Sequence, residues 1–93
     1  MKLPKPKKIS LKNLRKKADD LWSKLIRSIG YCEICGSNNT LNAHHVIGRA
    51  NYATRYLKEN GVCLCVNCHK SFHKIYGKNT TKEMFLEFIE LHH

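Results

Sequence analysis

The 93-residue chain has few acidic residues and no long apolar run. Only seven residues are Asp or Glu, against 17 Lys or Arg, and the formal net charge is +10. No apolar stretch approaches the roughly 20 residues of a membrane-spanning helix. The basic N-terminus also lacks the apolar core of a signal peptide. We therefore expect neither a membrane span nor an export signal. The charge predicts attraction to a polyanion, either nucleic acid or an acidic membrane surface.

The cysteine content excludes one class of small fold. Five cysteines are an odd number, so they cannot all pair in disulfides. A chain of this length forms one small domain with a modest core, and such domains often depend on a bound metal. Two CxxC pairs without an export signal therefore favour a metal site in a reducing cytoplasm over a disulfide framework.

Four of the cysteines have the spacing of a structural zinc site. They form Cys32-x2-Cys35 and Cys65-x2-Cys68, and each CxxC turn directs two sulfurs at one ion. Four thiolates suit tetrahedral Zn²⁺ with no open position, so we expect a structural ion. Reduced thiols or a redox pair are the alternatives. Cys63 stands outside both pairs and is interpreted as a small buried apolar residue.

Four histidines form a second candidate metal site. His44 and His45 are adjacent in a weakly alternating, strand-like segment, and His69 and His73 lie one helical turn apart. Neighbouring residues of a strand point to opposite faces, so His44 and His45 should not ligate the same ion. One of them can bind a metal while the other stays free as a base, which suits metal-assisted hydrolysis.

The remaining sequence divides into an arm and one domain. Residues 1–9 contain four lysines and two prolines, and we predict a flexible basic arm. Residues 10–93 are predicted to be a single domain. Within it we expect an N-terminal helix over 10–30, a zinc-braced core over 31–77 and a C-terminal helix over 80–91.

Hydrophobic periodicity and turn signals give the local expectations. Thr80 and Glu83 form a candidate capping box for the last helix, Asn51 can cap a short helix, and Asn60-Gly61 signals a hairpin turn. The first helix is predicted to bury its apolar positions, which are Leu11, Leu14, Ala18, Leu21, Trp22, Leu25, Ile26 and Ile29. The expected core of the last two helices is Phe72, Ile75, Met84, Phe85, Phe88, Ile89 and Leu91.

Basic residues suggest where a polyanion would bind. The polar face of the first helix is either an ordinary solvated face or a phosphate-binding surface. Basic side chains in the first turns oppose the helix dipole, which favours a role toward a ligand. These residues are Lys12, Arg15, Lys16, Lys24 and Arg27. Arg49 and Arg55 lie beside Tyr52 and Tyr56 in an irregular segment, a composition that suits a nucleic-acid surface. Packing of the two tyrosines in the core is an equal alternative.

The stretch from residue 32 to residue 73 resembles the HNH endonucleases. The three letters of that name stand for a histidine, an asparagine and a second histidine. His45 matches the first, Asn60 the second, and His69 or His73 the third. Residues 43–47 (Ala-His-His-Val-Ile) are similar to the family's Asp/His-His-apolar signature. Residues 60–65 (Asn-Gly-Val-Cys-Leu-Cys) are similar to its Asn-Leu-x-x-Leu-Cys segment, and the four-cysteine site resembles the phage and bacterial branch.

The resemblance implies an α+β fold, in which a small ββα-metal core is preceded by a long basic helix and followed by a C-terminal helix. It implies that His45 is the general base and that Asn60 holds the loop between the strands. His44 and His69 would be metal ligands, and His73 the third ligand or a phosphate contact. The ion would be Mg²⁺ or Mn²⁺, with Zn²⁺ or Ni²⁺ as alternatives because three imidazoles form a soft site.

The resemblance also implies DNA as the partner, cleavage to 5′-phosphate and 3′-hydroxyl ends, and the cytoplasm of a bacterium or a phage-infected host. Monomer and dimer both remain open. Two alternatives are a non-catalytic zinc-ribbon DNA-binding module and a Holliday-junction resolvase in phage recombination. A looser similarity, over residues 21–27, 48–49 and 53–56, links the chain to the NinG-like recombination proteins of lambdoid phages.

Overall fold

The computed structural model describes residues 10–92, which contain three helices and one two-stranded antiparallel sheet. The elements in chain order are α1 (Leu11–Arg27), β1 (Leu41–His45), β2 (Gly61–Cys65), α2 (Val66–Tyr76) and α3 (Lys82–Leu91), with a short 3-10 helix at Lys58–Asn60. The predicted α+β class is confirmed, with a hairpin and one helix between two flanking helices. The predicted basic arm lies outside the described residues, and the domain boundaries stay a prediction.

The sheet is a hairpin with a long connection. β1 and β2 pair from Leu41 opposite Cys65 to His45 opposite Gly61. Residues 46–60 form the loop between them, so the turn that we expected at Asn60-Gly61 is the start of β2 instead. The short helix expected after Asn51 is a series of turns, in which Asn51 Oδ1 accepts a hydrogen bond from the Ala53 N–H at 3.1 Å.

The core has two parts, one on each face of the hairpin. Cys63 and Leu64 are neighbours in β2 and are both fully buried, because their side chains point to opposite faces. Leu64 packs with α2 and α3, where Phe72 and Phe88 are also fully buried. Cys63 packs with Trp22 and Ile26 of α1. The hairpin is therefore enclosed between α1 on one face and the α2–α3 pair on the other.

Only part of the apolar face of α1 is covered. Ser10 caps the helix by accepting a hydrogen bond from the Asn13 N–H, as expected, but only Trp22 and Ile26 are buried. Five other large apolar side chains are 38–68% exposed. The covering sheet has only two strands of five residues each, so it is too small to cover the whole apolar face of α1. The exposed residues are Leu11, Leu14, Leu21 and Leu25 in α1, and Ile29 two residues after its end.

The α2–α3 region differs from expectation in two ways. Thr81, not Thr80, caps α3 by accepting a hydrogen bond from the Met84 N–H. Thr80 is buried and its hydroxyl donates to the carbonyl of Val46 at 3.2 Å, which ties this loop to the hairpin connection. Ile75 and Leu91 were expected in the core, but they are 57% and 65% exposed because each helix is covered on one side only. None of the helices in residues 10–92 has the length and apolar character to cross a bilayer.

Candidate active site and metal centres

The first CxxC turn is held by backbone bonds and docked onto β2. The Gly36 N–H donates to the carbonyl of Cys32 at 2.8 Å, and Gly36 has φ of +79°, a conformation that glycine adopts without strain. Glu33 meets Cys63 twice: its N–H donates to the Cys63 carbonyl at 2.8 Å, and its carboxylate accepts from the Cys63 N–H at 2.9 Å. These bonds place the first pair of thiols beside the second.

The four cysteine sulfurs are positioned to bind one metal ion. The sulfurs of Cys32, Cys35, Cys65 and Cys68 all lie within 4.8 Å of one another, and the Cys35 and Cys65 sulfurs are 3.7 Å apart. Sulfurs at about 2.3 Å from a tetrahedral ion lie about 3.8 Å apart, so the spacing fits Zn²⁺. Four thiolates this close would repel without a cation. Burial raises the pKa of Cys68. Burial also acts to raise the pKa of Cys32, but hydrogen bonds from backbone N–H groups together outweigh it and lower that pKa to about 6.

Three imidazoles meet on the α2 side of the hairpin. One nitrogen from each of His44, His69 and His73 lies within 4.8 Å of the others. The Nε2 atoms of His69 and His73 are 3.0 Å apart. His73 Nδ1 lies 2.8 Å from the carbonyl of Gly77, which can only accept, so Nδ1 carries the proton and Nε2 carries the lone pair. Two nitrogens bound to one ion at about 2.1 Å lie about 3.0–3.4 Å apart, which fits this pair.

The burial of His44 is consistent with a ligand role. His44 is 1% exposed and packs edge-on against Phe72, with ring centroids 4.5 Å apart. Within the described chain, neither of its ring nitrogens has a hydrogen-bond partner. An unpaired buried polar atom is costly, and a metal ion would satisfy one of these nitrogens. Burial, and then the neighbouring imidazoles of His69 and His73, lower the pKa of His44 to about 3, so this ring is neutral and able to ligate at pH 7.

His45 points the other way and has different neighbours. Its ring stacks on Trp22 of α1 with centroids 3.9 Å apart and planes 14° apart. Its Nε2 lies 3.0 Å from the carbonyl oxygen of Arg55, so Nε2 is the protonated nitrogen and Nδ1 carries the lone pair. Burial lowers the pKa of His45, partly offset by this hydrogen bond. The ring is thus neutral and has one available proton acceptor.

Asn60 ties the end of the long loop to the residues after His45. Its side chain is buried and makes two bonds to Ile47: Oδ1 accepts from the N–H at 2.8 Å, and Nδ2 donates to the carbonyl at 3.0 Å. The carbonyl of Asn60 also accepts from the Val46 N–H at 2.9 Å. These contacts are of the loop-holding kind that the family resemblance implies for this residue.

An ion pair between α1 and the loop adds residues that the sequence did not reveal. Arg55 is buried and binds Asp19 with two hydrogen bonds of 2.9 and 2.7 Å. The Arg55 guanidinium lowers the pKa of Asp19. Asp19 was not among the predicted residues, and Trp22 was interpreted as core only. The available signal was the place of Asp19: it lies beside the apolar face of a largely basic helix, where a carboxylate needs a partner.

A cleft of about 940 Å³ brings the two histidine groups to one opening. His45, His69 and His73 all line it, together with Asp19 and Arg49. The lining of this cleft therefore includes the predicted base and two of the three imidazoles that could hold a metal ion.

The predicted basic residues fall into two groups. The five basic side chains of the α1 polar face are exposed, namely Lys12, Arg15, Lys16, Lys24 and Arg27. Arg49 is also exposed at the mouth of the cleft, with 69% of its side chain accessible, whereas Arg55 is turned onto Asp19. A DNA contact by Arg55 stays a prediction and would require this ion pair to open.

Comparison with known proteins identifies one family. The family model described as HNH endonuclease matches residues 32–74. That span contains the four cysteines and the four histidines described above, and α1 and α3 lie outside it. No match was found among curated proteins or among solved structures. The looser likeness to NinG-like proteins stays a prediction. The resemblance read from the motifs is confirmed over this span: residues 32–74 match the model of the HNH endonuclease family.

Proposed function

We propose that the protein is a metal-dependent DNA endonuclease that hydrolyses phosphodiester bonds. The observation that carries the proposal is the division of the adjacent histidines. His44 faces His69 and His73 at distances suited to one ion, and His45 faces the opposite way with an available lone pair. The proposed base and the proposed metal site open onto the same cleft, since His45, His69 and His73 all line it.

His45 would act as the general base. Because its Nε2–H is held by the Arg55 carbonyl, Nδ1 is the atom that takes the proton from water. The activated water attacks phosphorus, the bond from phosphorus to the 3′-oxygen breaks, and that oxygen takes a proton from solvent water, which gives 5′-phosphate and 3′-hydroxyl ends. Asn60 would contribute by holding the chain at Ile47, two residues after His45, so that the base keeps its place.

His44, His69 and His73 would hold the divalent ion. When bound, the ion would supply positive charge that attracts the scissile phosphate and stabilises the negative charge on the leaving 3′-oxygen. His73 is well prepared for this role, since the Gly77 carbonyl fixes its tautomer, as an outer hydrogen bond does for many metal-binding histidines. Imidazole prefers borderline metals to hard ones, so this donor set favours Mn²⁺ over Mg²⁺ and admits Zn²⁺ or Ni²⁺ as competitors.

DNA would lie across the basic surface of α1 and the mouth of the cleft. The five predicted basic residues of α1, all exposed, and Arg49 supply positive charge, and the chain carries +10 overall. Such contacts reach phosphates and carry no sequence information directly. We therefore propose an enzyme of low sequence preference.

The test is cleavage of supercoiled plasmid and of branched DNA with Mg²⁺, Mn²⁺ or Ni²⁺. We expect wild type to cut, His45→Ala to lose roughly 10²–10⁴-fold in rate, and His92→Ala to cut as wild type. His92 is a matched control because it is a histidine at the exposed end of α3. Wild type that leaves every DNA intact with every metal would refute the enzyme proposal. A comparison of junction and duplex cleavage separates a resolvase from a general nuclease.

Metal counting separates the endonuclease from a non-catalytic zinc module. The endonuclease binds a tight zinc ion and a second, weaker ion, whereas the module binds only the first. His73→Ala should weaken the second ion and leave the first in place. One ion per wild-type chain under saturating Mn²⁺ would contradict the proposed catalytic site.

A further inference from the structure

Helix α1 lies outside the family match, yet it supplies the surface against which His45 rests. We infer that Trp22 is a positioning residue for the general base and that the Asp19–Arg55 ion pair assists it. The inference rests on the proposed function, in which His45 takes a proton from water. It adds α1 to the parts of the molecule on which catalysis depends.

The indole of Trp22 covers one face of the His45 ring. The planes are only 14° from parallel and the centroids are 3.9 Å apart, so the imidazole cannot tilt toward α1. The indole is itself fixed, because Trp22 is 6% exposed and its Nε1–H donates to the carbonyl of Leu57 at 2.8 Å. A rigid, buried ring is therefore held against the proposed base.

Gly61 provides the space for this stack. It pairs with His45 across the sheet and carries no side chain. A Cβ at this position would overlap Ile26 Cδ1 and lie 2.9 Å from Trp22 Cζ2. A side chain here would displace Ile26 first and crowd the indole, so glycine leaves room for both Ile26 and Trp22 against the strand opposite the base.

The ion pair fixes the other contact of His45. Asp19 holds the Arg55 side chain by two hydrogen bonds, and Arg55 Nη1 donates to the carbonyl of Arg49 at 3.2 Å. The backbone carbonyl of the same Arg55 accepts the Nε2–H of His45 at 3.0 Å. Asp19 therefore acts through Arg55 on the contact that sets the His45 tautomer.

These contacts restrict different motions of one ring. The stack opposes tilting, which would draw Nε2 away from the Arg55 carbonyl, and the carbonyl opposes rotation that would exchange Nδ1 and Nε2. Together they hold the Nε2–H tautomer and leave Nδ1 as the proton acceptor. Because a misplacement of about 1 Å at a reacting group can cost roughly 10²-fold in rate, loss of the stack should appear in kcat.

The test compares Trp22→Leu, Trp22→Phe and Ile26→Ala in the full chain, loaded with zinc and saturated with Mn²⁺. We expect Trp22→Leu to lower kcat by about 10- to 100-fold, with KM for plasmid and the metal count unchanged. Trp22→Phe keeps an aromatic face and should recover most of the rate. Ile26→Ala is the matched control, because Ile26 is buried in the same cluster without stacking on His45. It should lower the melting temperature and keep kcat when assayed well below that temperature.

A second measurement reports on the ring itself. Long-range ¹H–¹⁵N NMR spectra should show His45 as a single Nε2–H tautomer in wild type, and as a mixture of tautomers in Trp22→Leu. Wild-type kcat in Trp22→Leu, an equal loss in Ile26→Ala, or an unchanged His45 tautomer in Trp22→Leu would overturn the inference. If wild type cuts no DNA, the proposed function fails. The NMR comparison then decides alone whether Trp22 positions His45.

Discussion

Replacing Asn60 by Ala should destabilise the domain by more than the loss of one small side chain suggests. The side chain is 6% exposed and makes two hydrogen bonds, of 2.8 and 3.0 Å, to the backbone of Ile47. Each bond contributes about 0.5–1.5 kcal/mol, and unpairing a buried backbone group costs about 1–3 kcal/mol. Because water can reach half-buried Ile47 in part, we expect a total loss of about 2–4 kcal/mol. For a domain of this length that loss lowers the melting temperature by about 10–25 °C.

Denaturant and thermal unfolding of the zinc-loaded protein measure this loss. Asn51→Ala is the control, since Asn51 lies in the same loop, is exposed and makes one side-chain bond to the Ala53 N–H. It should cost at most about 1 kcal/mol. If Asn60→Ala costs no more than Asn51→Ala, the claim that Asn60 holds the loop is wrong. Cleavage by Asn60→Ala at a temperature where it is fully folded then shows whether the loop also holds His45.

Two further outcomes follow from the structure. Gly61→Ala should lose about 1–3 kcal/mol of stability through overpacking against Ile26 and Trp22; unfolding midpoints equal to those of wild type would show that α1 can move away at no cost. The affinity for a duplex oligonucleotide should fall steeply between low and physiological salt. Lys16→Gln should weaken binding and reduce the salt slope by about one. An affinity that does not change with salt would contradict a phosphate-binding α1.

Much of the site could be predicted because its chemistry is local in sequence. The CxxC pairs bring their own sulfurs together, and the four-residue spacing of His69 and His73 places both rings on one face of α2. The alternation of a strand separates His44 from His45 whatever else the chain does. These rules need no knowledge of the tertiary structure.

The contributions of α1 could not be predicted because they depend on tertiary packing. Trp22 reaches His45, and Asp19 reaches Arg55, only after the helix docks on the hairpin. Hydrophobic periodicity also predicted that more of the apolar face of α1 would be buried than is the case. Periodicity cannot show that the sheet covering this helix has only two strands. The α3 cap was misplaced by one residue because Thr80 and Thr81 are equally good caps by chemistry. The buried bond of Thr80 to Val46 decides between them.

The uncovered apolar side chains of α1 have a consequence for the colloidal behaviour of the protein. At low ionic strength, repulsion between molecules that each carry +10 keeps these helices apart. In 1 M salt the screening length falls to about 3 Å, and that repulsion no longer acts between approaching surfaces. Sulfate or phosphate would in addition strengthen apolar association. At salt concentrations well above those that weaken DNA binding, we therefore expect copies of the chain to aggregate through α1.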